Sequence, residues 1–120
     1  MKVLVTGAAG LIASKQMYYT LLQRGDGVVG IDIFNDYYDI RLKEGRCKAF
    51  GLNVRKMDIA NKAAVDTLFE KEQFEIVVHL AAQVGMRYSI MNPHAYLQSN
   101  LVGFLNILEA CRNYGVKYLV

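Results

Sequence analysis

The sequence predicts an α/β fold built on a doubly wound parallel sheet. Five short, nearly continuous apolar runs alternate with longer amphipathic ones, and strands of that composition are buried on both faces. A tight glycine turn follows the first apolar run directly and opens the first amphipathic one. Such alternation gives right-handed crossovers, and a glycine turn after the first strand places a ligand where the strand order reverses. The expected fold is therefore Rossmann-like, with about five strands in the order 3-2-1-4-5.

The individual elements follow from apolar runs and from the residues that end them. The predicted strands are Lys2–Thr6, Val28–Asp32, Asn53–Met57, Ile76–Leu80 and Val116–Val120. The predicted helices are Leu11–Arg24 before Gly25, Lys62–Lys71 after the N-cap candidate Asn61, and Pro93–Asn113 between Asn92 and Gly115. Residues 34–51 match no element clearly, and a short helix near Leu42 is expected there.

Length and composition limit the class of protein. The 120 residues predict one domain, residues 1–120, which buries about two thirds of its unfolded surface. A content of 53% hydrophobic and 21% charged residues is typical of a globular domain, and a net charge of +3 without a basic run argues against nucleic acid. No run approaches the roughly 20 apolar residues that cross a bilayer. Cys47 and Cys111 lack metal-ligand spacing, so we expect free thiols, no metal and a cytoplasmic location.

The glycine turn, from Thr6 to Ala13, is the first candidate binding element. Gly7 can adopt a left-handed backbone where the strand turns over, and Gly10 lets the main chain approach a phosphate. Unpaired amides at the start of the next helix favour an anion. An ordinary tight turn is the alternative, but the position between strand and helix favours a pyrophosphate site. Its predicted members are Gly7, Ala9, Gly10, Leu11 and Ile12.

Acidic residues after the second and third strands are candidates for the adenosine end of a dinucleotide. Asp32 lies 22 residues after Gly10, where a carboxylate can accept both ribose hydroxyls and repel a 2′-phosphate. Because Ile33-Phe34-Asn35 follows it, without Arg or Lys, NAD is favoured over NADP. Asp58 is placed to meet the exocyclic amine of adenine, and Ile59 the face of the ring. A loop-capping Asp32 and a helix-capping Asp58 are the alternatives, the latter nearly as well supported by spacing.

The end of the fourth strand supplies further candidates. Small residues there let a ribose or nicotinamide lie against the backbone, which indicates Leu80, Ala81 and Ala82 as cofactor contacts. His79 is expected to pack as a neutral, hydrogen-bonded imidazole rather than to act in catalysis. Arg87 could bind a phosphate or carboxylate in a bidentate fork, and a plain surface arginine is equally well supported.

The last predicted helix carries one more candidate and an apolar stripe. Asn100 lies on an apolar segment, where a buried amide must find partners, and a role in the site would explain it. Leucines and one phenylalanine recur at helical spacing and predict a buried face: Leu101, Phe104, Leu105 and Leu108.

These residues together resemble the amino-terminal part of the extended short-chain dehydrogenase/reductases, and within them the nucleotide-sugar epimerases. Thr6-Gly7-x-x-Gly10-x-x-Ala13 is similar to the family's TGxxGxxG, with Ala13 in place of the third glycine. The matching segments also include Asp32, Asp58-Ile59, His79-Leu80-Ala81-Ala82 and Asn100-Leu101-Val102-Gly103. Three further segments resemble the UDP-glucuronate 4-epimerase branch: Asn35-Asp36-Tyr37-Tyr38-Asp39, Gly85-Met86-Arg87-Tyr88-Ser89 and Asn92-Pro93-His94-Ala95-Tyr96. The resemblance spans essentially the whole chain and adds Asn35 to the expected cofactor contacts.

The resemblance implies bound NAD that takes a hydride from C4 of a UDP-sugar and returns it to the other face. It also implies a catalytic tyrosine, lysine and Ser or Thr beyond the fifth strand, which this sequence does not contain. We therefore expect a cofactor-binding fragment of a UDP-glucuronate or UDP-glucose type 4-epimerase, inactive alone and without catalytic residues. A non-catalytic dinucleotide-binding module, or half of a nucleotide-sugar dehydratase or reductase, are the alternatives. The exposed edge of Val116–Val120 predicts self-association.

Overall fold

The parallel sheet has the predicted strand order. The computed structural model describes residues 1–10, 12–34, 39–82 and 86–120, with only the backbone of 14–16 and 86–88. Its strands are β1 (Lys2–Thr6), β2 (Gly27–Asp32), β3 (Val54–Lys56), β4 (Ile76–His79) and β5 (Tyr118–Leu119). They form one sheet in the order β3-β2-β1-β4-β5, and all neighbouring strands run parallel. The predicted order 3-2-1-4-5 is therefore confirmed.

The strand register aligns the carboxyl ends of the central strands. Thr6, the last residue of β1, pairs with Ile31 on one side and with His79 on the other. Strand β2 lies on one side of β1 and β4 on the other, and all three run parallel. The segments that follow them therefore meet at the carboxyl ends of the strands, which form one edge of the sheet. This edge is where the sequence places its candidate residues.

Helices cover both faces of the sheet. Helix α1 begins with the π-helical stretch Ala13–Tyr19 and ends with the α-helical turn Thr20–Gln23. Helices α2, α3 and α4 are Ile40–Phe50, Lys62–Glu72 and Met86–Met91. Helix α5 comprises Pro93–Tyr96, the π-helical Leu97–Val102 and Gly103–Asn113. The three predicted long helices are confirmed, α2 is longer than the short helix expected near Leu42, and α4 was not predicted.

The residues that end the helices act as the sequence indicates. The Asn61 side chain accepts a hydrogen bond from the Ala64 N–H, and that of Asn92 from the Ala95 N–H, each at 3.2 Å. Gly25 and Gly115 follow α1 and α5 with φ of +85° and +69°. Left-handed glycines and Asn caps satisfy backbone groups that a helix leaves unpaired, so these boundaries could be predicted locally.

Two apolar clusters hold the helices on the sheet. One surrounds Leu4, Phe69 and Ile107, and the other surrounds Val5 and Tyr18, so that alternate β1 residues face opposite layers. Ala13 belongs to the second cluster and is 2% exposed, so the methyl group in place of the family's third glycine is accommodated in the core.

The prediction that the apolar stripe of α5 is buried is wrong. Its residues are exposed by 62, 37, 56 and 39% at Leu101, Phe104, Leu105 and Leu108. The residues that α5 buries are Gly103, Asn106, Ile107 and Ala110. Apolar residues cover a wider part of the surface of this helix than the rest of the chain buries. The spacing of these residues does not tell which part is buried.

Candidate functional site

The glycine turn joins β1, β2 and the end of β4. Gly7 has φ of +65°, and a Cβ on it would lie 2.9 Å from backbone atoms of Leu80 and Ala81. The Gly10 N–H donates to the Gly7 carbonyl at 2.9 Å, and a Cβ on Gly10 would lie 3.0 Å from the same oxygen. The left-handed backbone that the sequence predicts at Gly7 is confirmed, and its close neighbours require glycine as well.

The start of α1 faces the same edge. Ile12 already has a helical backbone (φ −76°, ψ −48°), and its side chain has no polar atom that could pair with the first amides of the helix. The first amides of the helix and its dipole are therefore oriented to stabilise an anion such as a pyrophosphate. The Ile12 side chain is 64% exposed, so a ligand can reach the start of the helix from solvent beside it.

Asp32 is fixed in place by three hydrogen bonds. Its Oδ2 accepts from the Ala9 N–H at 3.2 Å, and its Oδ1 accepts from the Phe34 N–H at 2.7 Å and from Lys43 Nζ at 2.9 Å. The residue is 4% exposed. A carboxylate has about four acceptor positions, so about one remains for a ligand hydroxyl. A hydroxyl can also accept, so a second ribose hydroxyl can pair with the Lys43 ammonium beside Oδ1. That Asp32 accepts both ribose hydroxyls stays a prediction.

Two basic residues at this position were not identified from the sequence. Lys43 contacts Asp32, and Arg46 Nη1 donates to the Ala9 carbonyl at 3.0 Å. They lie three residues apart on α2 and so share one face of that helix. The absence of a cation in Ile33-Phe34-Asn35 was a correct observation, but a cation reaches Asp32 from eleven residues further along. Only knowledge that α2 lies over the end of β2 could have indicated it.

The Asp58–Ile59 loop follows β3 beside Asp32. The Met57 N–H donates to the Asp32 carbonyl at 2.9 Å, and Asp58 Oδ1 accepts from the Ala60 N–H at 2.9 Å. The Asp58 side chain is exposed, as an adenine contact requires. The Ile59 side chain is only 6% exposed because it packs in the core, which corrects the expectation that it covers the adenine ring. What the loop offers a ligand is the Asp58 carboxylate and the backbone.

The end of β4 is organised by Thr6. Its Oγ1 accepts from the Leu80 and Ala81 N–H groups at 3.0 and 3.1 Å and lies 2.8 Å from His79 Nδ1. With two donors already on Oγ1, its own proton points to Nδ1, and burial lowers the pKa of His79. The imidazole also stacks on Phe104, with ring centroids 5.3 Å apart. His79 is therefore a neutral, hydrogen-bonded packing residue, as predicted.

A shallow cavity of about 270 Å³ lies next to the glycine turn. It is lined by His79, Leu80, Ala81, Ala82, Asn100 and Phe104. The structure thus brings Asn100 to the strand end that the sequence also assigns to the site. Leu11 and Asn35 lie outside the described residues, and for Arg87 only its backbone position on α4 is described.

Two other kinds of site were sought in the described part of the chain. No group of three or more His, Cys, Asp or Glu residues within it could hold a metal ion. Within the same residues, no helix has both the length and the apolar character needed to span a bilayer.

A family model and several relatives match this chain. The model described as GDP-mannose 4,6 dehydratase matches residues 4–119. UDP-glucuronate 4-epimerase 3 of Arabidopsis thaliana is 47% identical over 114 residues, which are 92% of this chain and 26% of that protein.

Solved structures agree in fold. The UDP-glucuronic acid 4-epimerase of Bacillus cereus, in complex with UDP-glucuronic acid and NAD, superposes with a TM-score of 0.85 and 33% identity, over 99% of this chain and 38% of that one. The UDP-glucose 4-epimerase of Thermus thermophilus, in complex with NAD, gives 0.82 and 35%, over 99% of this chain and 36% of that one. The chain therefore spans well under half the length of the proteins it matches.

Proposed function

The chain belongs to the GDP-mannose 4,6 dehydratase family, and from that membership we propose that it is the NAD-binding part of a nucleotide-sugar 4-epimerase. The UDP-glucuronate or UDP-glucose type is favoured because similar proteins carry those names. The observation that carries the proposal is the Asp32 carboxylate, buried and held by three hydrogen bonds beside the glycine turn and the start of α1.

The residues of the site match the parts of a dinucleotide. The Gly7–Gly10 turn lets the main chain approach the pyrophosphate, and the first amides of α1 offer it donors and a positive dipole end. Asp32 and Lys43 together offer an acceptor and a donor to the adenosine ribose. The cavity at Leu80–Ala82 provides an apolar wall for the nicotinamide end.

Bound NAD would supply the hydride acceptor for a transient oxidation at C4 of the sugar. This chain's own residues would bind and orient that cofactor. The 120 residues contain no Tyr-x-x-x-Lys, the pair that the family resemblance assigns to proton transfer. We therefore propose that the 120 residues bind NAD without epimerising a UDP-sugar, and that turnover requires groups from outside them.

Self-association through β5 and a cytoplasmic location are further parts of the proposal. Strand β5 pairs with β4 on one side. Tyr118 and Val120 are 65 and 77% exposed at that edge of the sheet. An exposed strand edge is a template for pairing with another chain. A monodisperse monomer in light scattering at high protein concentration would refute the association.

Calorimetric titration with NAD, combined with an epimerase assay on UDP-glucuronate and UDP-glucose, tests the central proposal. We expect saturable 1:1 binding of NAD and no epimerised product from the 120 residues. ADP-ribose should compete with NAD, because it retains the adenosine and pyrophosphate that we assign to Asp32, the glycine turn and the start of α1. An absence of NAD binding by a folded sample would overturn the proposal, and epimerised product would overturn the assignment of inactivity.

A further inference from the structure

We propose that Asn106, with Gly103, is a positioning residue for recognition of the adenine base. From helix α5, these two residues hold the Asp58–Ile59 loop in the geometry in which Asp58 meets the exocyclic amine. The inference rests on the proposed NAD binding, and it assigns a role to residues that do not contact the dinucleotide themselves.

A single peptide group connects Asn106 to Asp58. Asn106 Nδ2 donates to the Ile59 carbonyl at 2.8 Å. The N–H on the other end of that same planar peptide belongs to Ala60 and donates to Asp58 Oδ1 at 2.9 Å. The orientation of the peptide plane therefore sets the orientation of the carboxylate. Asn106 acts on Asp58 through this chain of two hydrogen bonds.

Burial of the amide supports a specific role. Asn106 is 8% exposed on the side of α5 that also buries Ile107 and Ala110, both fully inaccessible. A polar side chain in such a place is unfavourable unless it is hydrogen-bonded. Its partner lies 47 residues away in sequence, so the bond joins α5 to a loop of the cofactor site rather than closing a local turn.

Gly103 lets the helix approach the same loop. Its backbone is helical, with φ of −60°, so no positive φ requires glycine here. A Cβ at this position would lie 2.6 and 2.7 Å from Cγ1 and Cδ1 of Ile59. Glycine inside a helix weakens the helix, and close approach to Ile59 accounts for its presence. Gly103 and Asn106 are three residues apart and therefore act from one face of α5.

The preference for adenine over hypoxanthine measures this role directly. Nicotinamide hypoxanthine dinucleotide carries a carbonyl in place of the exocyclic amine, so a correctly placed Asp58 carboxylate loses a donor and meets an acceptor. For the wild-type chain we expect NAD to bind about tenfold more tightly than this analogue or better, as fits one charged hydrogen bond. Asp58→Ala should remove most of that ratio and defines its lower limit.

Two variants that disturb the Asp58–Ile59 loop in different ways should lower the ratio alike. Asn106→Leu removes the donor to the Ile59 carbonyl, and Gly103→Ala favours the helix but displaces Ile59. Both should reduce the preference for NAD to near that of Asp58→Ala. The matched control is Ile107→Val, which trims a fully buried neighbour on α5 and should leave the ratio at the wild-type value. If Asn106→Leu does not fold, Gly103→Ala decides the question.

The outcomes separate this inference from the proposed function. If both variants bind NAD with the wild-type preference, Asn106 and Gly103 are structural residues and the inference is overturned. A wild-type chain that binds the two dinucleotides equally overturns the inference but leaves NAD binding intact. A wild-type chain that binds neither overturns the proposed function and the inference with it.

Discussion

Replacement of Asp32 by Asn tests how the buried carboxylate works. The substitution keeps the size of the side chain but replaces one acceptor oxygen with an NH2 group. That group must then face either the Ala9 N–H or the Phe34 N–H, which are both donors now paired with Asp32. One buried donor is left unpaired at a cost of about 1–3 kcal/mol, and Lys43 loses its counter-ion.

Binding of NAD should weaken by a similar amount. A hydrogen bond from a ribose hydroxyl to a charged carboxylate contributes about 1.5–3 kcal/mol, which corresponds to about a tenfold to hundredfold rise in Kd. The assay is calorimetric titration with NAD, with urea unfolding of the same samples to measure stability. Asp66→Asn is the matched control, because Asp66 is also a lysine-paired acid, 2.5 Å from Lys62, but is only partly buried and lies on α3, away from the site.

The result that would refute this reasoning is specific. If Asp32→Asn binds NAD within about threefold of the wild type, less than one neutral hydrogen bond is worth, the carboxylate does not hold the ribose. If Asp66→Asn weakens binding as much as Asp32→Asn does, the effect is one of general stability and not of the site.

Three further predictions follow from single contacts. Gly7→Ala forces a left-handed alanine against Leu80 and Ala81, so it should lower the free energy of unfolding by at least about 1–2 kcal/mol in urea and abolish NAD binding. Lys43→Met removes the cation that screens the Asp32 carboxylate from a 2′-phosphate. In competition titrations the affinity for NADP should therefore fall by about 1 kcal/mol, or fivefold, more than the affinity for NAD. Equal losses of affinity for the two dinucleotides would contradict this screening. Burial lowers the pKa of His79, so the unfolded chain takes up a proton before the folded chain does, and stability should decline as the pH falls below about 6.5 toward the folded pKa. His79→Asn should flatten that part of the profile in urea unfolding between pH 7.5 and 5.5, and an unchanged slope would contradict the neutral imidazole.

The fold was predictable because its signals are local. Apolar runs, the Asn61 and Asn92 caps and the glycines after α1 and α5 each act within a few residues, and the structure uses all of them. The strand order also followed, because a glycine turn after β1 and parallel crossovers leave few topologies.

Most candidate residues that the structure brings together end a strand, and Asn100 on α5 is the exception. Gly7 and Leu80–Ala82 lie at strand ends, and the sheet brings them together. Lys43 and Arg46 were missed because they reach the site from α2, in a segment without clear boundaries. Asn106 was missed because an amide on an apolar helix shows no sign of its partner 47 residues away.

Two expectations failed for a common physical reason. Because of their chemistry, the Ile59 side chain was expected at the ligand and the apolar stripe of α5 in the core. Which side chains are buried depends instead on how α5 packs against the rest of the chain. Because Gly103 has no side chain, α5 packs closely against the Ile59 side chain, which is therefore buried and not available to a ligand. The face of α5 that carries Asn106 therefore packs in the core, and the face that carries Leu101, Leu105 and Leu108 stays exposed.

The most direct test of the account is an NMR titration of the isotope-labelled 120-residue chain with NAD, following backbone amides. We expect saturable shifts at the carboxyl edge of the sheet, at Gly7, Gly10, Ile12 and Ala81. We expect little change at the opposite edge, where Lys2 pairs with Glu72 at 2.7 Å. Shifts confined to that opposite edge, or none with saturating NAD, would contradict the claim that the glycine turn and its helix bind the dinucleotide.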